Sequence, residues 1–117
     1  MRCNDLYLKQ AKHCSLICTL AIKENCVTVF NLALEIIRTV KAYKFVDSAL
    51  ITIACIWISE KYINSTYLMG NEYLKLIKIH CGFIYTISEL LAAECQILER
   101  IHWRLASIVT TASLIEE

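Results

Sequence analysis

The chain has 117 residues, of which 57% are hydrophobic, and its 12 basic and 11 acidic residues leave a net charge of +1. That length makes one domain with a substantial core, while interspersed, balanced charge excludes a nucleic-acid surface, which needs clustered lysine and arginine. With no proline and only two glycines, nothing interrupts long helices and little supports hairpins, so an all-α fold is predicted.

The first helix is expected over about Asp5 to Lys23, with Asn4 as its cap. Asp5, Lys9, Lys12 and His13 interrupt this segment, so it does not read as a signal sequence. A second helix is expected from about Val27 to Tyr43, where Val29, Phe30, Ala33, Leu34, Ile36, Ile37 and Val40 recur at helical spacing. Asp47 caps the third, Ser48 to about Ile63. This helix is apolar nearly all round, which predicts a central, enclosed position. Its uncharged run, Ser48 to Ser59, is shorter than the roughly 20 residues that cross a bilayer.

Asn64, Ser65 and Thr66 read as a loop, and Asn71 starts a fourth helix that Gly82 ends. The fifth helix, about 87 to 104, has the sharpest local signal. Thr86 followed by Glu89 is a capping box, and Tyr85 with Leu90 fits a hydrophobic staple across it.

Seven cysteines, at positions 3, 14, 18, 26, 55, 81 and 95, contain no C-x-x-C pair. They read as small hydrophobes of a reducing compartment, in preference to a zinc site built from Cys14, Cys18 and His13 or His80. No metal or cofactor is expected. A glycine-rich phosphate loop and a nucleophile–base arrangement are both missing from the sequence, and it does not read as an enzyme.

The apolar stripe of the fifth helix is expected to be Leu90, Leu91, Ile97, Leu98, Ile101 and Leu105, with Glu94 in its middle. A carboxylate facing a core has to be paired or hydrogen-bonded. Lys61 has the matching oddity, four residues after Trp57 on the same side of an apolar helix. The two charges are expected to sit near each other. The pair could fix helix register, or it could be presented together to a partner.

Two blocks of residues resemble the cyclin family. CIWISEKYIN (55 to 64) is similar to the third helix of a cyclin box, an apolar run followed by A-S-K, an aromatic and E-E, with Lys61 on the lysine and Tyr62 on the aromatic. YTISELLAAECQILERIHWRL (85 to 105) resembles the fifth-helix pattern Y-T-x-x-E-L-L-x-x-E-x-x-I-L-x-x-L-x-W-x-L. Trp103 and Leu105 fall in register there, and Ile101 replaces one leucine. TVFNLALEIIRTV (28 to 40) is a weaker match to the second helix.

The resemblance implies a compact five-helix cyclin-box bundle around a central third helix. Residues 1–105 would form the box, and 106–117 a tail or the stub of a second fold. It also implies a regulatory subunit that binds and activates a cyclin-dependent serine/threonine kinase in the nucleus or cytoplasm, in cell-cycle or transcriptional control. Lys61 and Glu94 would contact the kinase near its regulatory helix, with Trp57, Tyr62, Leu91 and Leu98 supplying contact area. No small-molecule, nucleic-acid or membrane partner is implied. An adaptor or decoy that binds a kinase without activating it is the alternative. Two departures from the family stand out. The stretch 6 to 17 lacks the family's substrate-docking motif and its tryptophan, and Ile63-Asn64 stands where the pattern has E-E.

Overall fold

A computed structural model describes residues 17, 19, 22, 25–45, 47–64 and 70–101. The architecture there is all-α, with four helices among the described residues in place of the five expected: α1 (Cys26–Val40), α2 (Ser48–Ile63), α3 (Gly70–Cys81) and α4 (Ile87–Arg100). The segment expected as the first helix lies outside the described residues, apart from Ile17, Thr19 and Ile22. Ile17 and Thr19 have helical backbone, and Ile17 and Ile22 are buried in the core. The rest of the stretch 6 to 17, the expected loop beyond Asn64, Trp103, Leu105 and residues 106–117 also lie outside the described residues.

The bundle is organised around α2, as its all-round apolar sequence predicts. Every residue from Ile51 to Glu60 is buried, and the helix packs against α1 and α4. Asp47 caps it by accepting a hydrogen bond from the Leu50 N–H at 3.2 Å.

Helix α1 stops earlier than expected. After Val40, Lys41 takes a left-handed conformation with φ 55° and ψ 59°, and the chain continues into a 3-10 turn over Ala42–Lys44. A non-glycine residue there costs roughly 1–2 kcal/mol. No glycine or proline announces the stop, which is why periodicity overran it.

Gly82, at φ 77°, ends α3 at Cys81 as predicted, because a left-handed stop is cheap for a residue without Cβ. The capping box of α4 is formed in full. Thr86 Oγ1 accepts from the Glu89 N–H at 3.2 Å, and Glu89 Oε1 accepts from the Thr86 N–H at 3.0 Å. Tyr85 is half-buried against the core, and its hydroxyl donates to Asp47 Oδ1 at 2.8 Å, tying the start of α4 to the start of α2.

The buried face of α4 is Leu90, Ala93, Ile97 and Ile101. Leu91 is 46% exposed and Leu98 only partly buried, which corrects the expected stripe. At about 100° per residue, Leu91 falls off the face that Leu90 and Ile97 define. Among the described cysteines, Cys55 is buried, Cys26 and Cys81 are half-buried, and Cys95 is exposed. Burial pushes the Cys55 thiol up, as an inert core residue requires.

Candidate functional site

The site is built where the last turn of α2 crosses the middle of α4. Lys61 and Glu94 meet there: Lys61 Nζ donates to Glu94 Oε2. Both side chains are mostly out of water, 26% and 17% exposed. The expected proximity of these charges is therefore present in the fold. Glu94 sits on the flank of the α4 core face, however, and not in its middle.

The lysine is held from below as well as from the side. Its Nζ lies 3.7 Å from the centroid of the Trp57 ring, one helical turn earlier on α2. A cation over an indole face gains roughly 0.5–2 kcal/mol, more when water is excluded. Trp57 is itself 6% exposed and stacks on Tyr73 of α3, with centroids 6.3 Å apart and planes 15° from parallel. Tyr73 is fully buried, and its hydroxyl donates to the Ile53 carbonyl at 2.8 Å. The start of α3 closes this stack. Gly70 lies against it: a Cβ there would meet the terminal methyl of Ile87, which would have to shift, and would lie 3.5 Å from Trp57 Cζ2. Sequence patterning singled out Trp57 and Lys61. Tyr73 and Gly70, which support them, come from another helix, and no spacing rule connects them.

Around the pair, Leu91 and Leu98 lie three residues before and four after Glu94, on the same flank of α4. Tyr62, next to Lys61, is 48% exposed. Of the six residues expected to contact a partner, Lys61, Glu94 and Trp57 form one cluster. Tyr62 and Leu91 are exposed on the same two helices, and Leu98 is partly buried.

One further carboxylate lies next to the pair in sequence. Glu60 precedes Lys61 and is only 3% exposed, and its Oε1 has no hydrogen-bond partner among the described residues. Burial pushes its carboxyl up from the usual glutamate range. The available signal was its place three residues after Trp57 on a helix with no polar face.

Among the described residues no group of His, Cys, Asp and Glu could hold a metal ion. Of the zinc candidates, Cys14, Cys18, His13 and the side chain of His80 lie outside them. No described helix is long and apolar enough to cross a membrane. No protein-family model, curated protein or solved structure matches the chain. Its function therefore has to be read from its residues and their geometry.

Proposed function

We propose that the chain is a cyclin-like regulatory subunit that binds a cyclin-dependent serine/threonine kinase through the α2–α4 seam and activates it, in control of the cell cycle or of transcription. The observation that carries this reading is the Lys61–Glu94 pair, seated on Trp57, with Tyr62 and Leu91 exposed on the same two helices.

The physical argument is one of preorganisation. An ammonium has three donors and a carboxylate about four lone-pair sites, so a pair joined by one bond keeps capacity for a partner's backbone groups. Lys61 would donate to a kinase carbonyl and Glu94 would accept a kinase N–H, each charge-assisted and contributing about 1.5–3 kcal/mol. Because the two side chains already hold each other, little side-chain entropy is lost on docking. Tyr62, Leu91 and Leu98 supply apolar area, and Trp57 keeps Lys61 in place. A kinase is active only when its regulatory helix places a glutamate against the ATP-binding lysine. A surface that fits the swung-in helix shifts the population towards that state. The subunit does no chemistry itself.

Kinase capture by immobilised Lys61→Ala and Glu94→Ala proteins tests the reading, and each should weaken binding roughly tenfold or more. Tyr62→Ser and Leu91→Ser, at exposed positions, should weaken it while leaving the helical circular-dichroism signal unchanged. Wild-type capture by all four variants would sink the proposal. Activity assays on the captured kinase separate activation from simple adaptor binding, since an adaptor would bind without stimulating.

A further inference from the structure

A second feature lies where α3 meets the start of α4, and it differs in chemistry from the Lys61–Glu94 seam. Leu74, Lys75 and Lys78 of α3, with Ile84, Tyr85 and Ile87, line a groove of about 350 Å³. That volume is at the low end for a small-molecule pocket and suits one or two aliphatic side chains.

The lining is mixed: Asn71, Thr86 and the two lysines are polar, and an aliphatic strip is made by Leu74, Ile84 and Ile87. Leu74 is buried, Ile87 is half-buried, and Ile84 is left 73% exposed. A branched aliphatic residue this exposed, on the wall of a groove, gains from being covered. The rim is basic. Lys75 and Lys78 are exposed and lie three residues apart on one face of α3. The ion pairs among the described residues, Glu35–Arg38 and Lys61–Glu94, include neither groove lysine.

Two acidic groups at the Tyr85–Thr86 end of the groove are engaged within the fold. Glu89 is turned back onto the Thr86 N–H and hydroxyl, and Asp47 accepts from the Tyr85 hydroxyl. Glu72, exposed and three residues before Lys75 on α3, is the nearest carboxylate in sequence but does not line the groove. The start of α4 adds a positive helix end, whose first N–H groups, at Ile87 and Ser88, have no intrahelical acceptor.

We infer that this groove docks an acidic, aliphatic peptide segment of a partner protein. An aliphatic side chain lies against Leu74, Ile84 and Ile87, and flanking carboxylates lie against Lys75 and Lys78. Charge complementarity selects the acidic partner, and the exposed Ile84 selects a peptide over a bare anion, which would leave that side chain uncovered. This inference does not depend on the kinase reading.

Fluorescence anisotropy with a short labelled peptide, in which two leucines precede two glutamates, tests it on the full chain. Binding should be saturable and should weaken as salt rises. A K75E/K78E double variant, altered only at exposed positions, should lose at least about tenfold in affinity. Ile84→Ser should lose severalfold with the helical signal unchanged. A peptide with lysines in place of its glutamates should not bind. The inference is overturned if the double variant or the lysine peptide binds as well as the originals. It is also overturned if inorganic phosphate displaces the peptide at equal concentration, because the groove would then be recognising charge alone.

Discussion

Glu60 and Glu94 lie on two helices that pack together, and both are largely withdrawn from water, yet they are treated in opposite ways. Glu94 meets Lys61, which is itself seated on an indole ring. Glu60, the residue before that lysine, has an oxygen with no partner among the described residues. The difference shows what a carboxylate needs in order to be carried at the edge of this core. A paired charge can serve as a preorganised contact, whereas an unpaired one costs stability unless it holds a proton.

Removing the lysine tests the contrast most severely, because it makes Glu94 resemble Glu60. Lys61→Ala should cost about 3 kcal/mol in urea unfolding, the low end for breaking a largely buried pair. A Lys61→Met/Glu94→Leu double variant should recover most of that loss, and failure to recover would mean the pair is not what Lys61 contributes. The opposite change removes the buried charge: Glu60→Gln should raise the urea midpoint at neutral pH, and a lowered midpoint would mean that the carboxylate is satisfied there.

The pH dependence follows from the raised carboxyl of Glu60. The folded state holds its proton more tightly than the unfolded chain. Stability from this group is therefore full below the ordinary value of 4.5 and is lost as pH rises through the higher folded value. Denaturation midpoints of the wild type should show this decline, and Glu60→Gln should flatten it.

Glu35 offers an intermediate case. It is 6% exposed and paired with Arg38, whose side chain is 61% exposed, through a 3.2 Å contact one turn along α1. Arg38→Ala should cost about 1.5 kcal/mol, since it leaves Glu35 buried and unpartnered. An effect close to zero would mean that solvent replaces the arginine. The smallest expected change concerns Glu89, whose carboxylate is held by the backbone at Thr86. Thr86→Ala removes the cap and should cost about 1 kcal/mol by thermal melting.

Much of the architecture was legible because its signals are local. Asp47 before an apolar run, Gly82 after a helical one, and Thr86 with Glu89 each act through bonds within a few residues. The predicted bounds of α2 and the start of α4 accordingly match the structure. Two local readings failed for identifiable reasons. Lys41 stops α1 in a left-handed conformation normally given to glycine, and Leu91, although apolar, is rotated off the buried face of α4. The expectation that Lys61 and Glu94 meet succeeded because each was an unusual charge on an apolar surface, and buried charges require partners.

By itself, the sequence determined the helical class, the caps, the central place of α2 and the two charges that had to be reconciled, because these follow from periodicity, propensity and the cost of isolated charge. Only the tertiary structure decided the rest. It stacked Trp57 on Tyr73, brought Gly70 against Ile87, enclosed Glu60 while leaving Ile84 open, and gathered Lys75 and Lys78 at the rim of a groove. Such juxtapositions depend on how helices cross, and helix crossing is set by the summed packing of many side chains, so no single stretch of the chain records it.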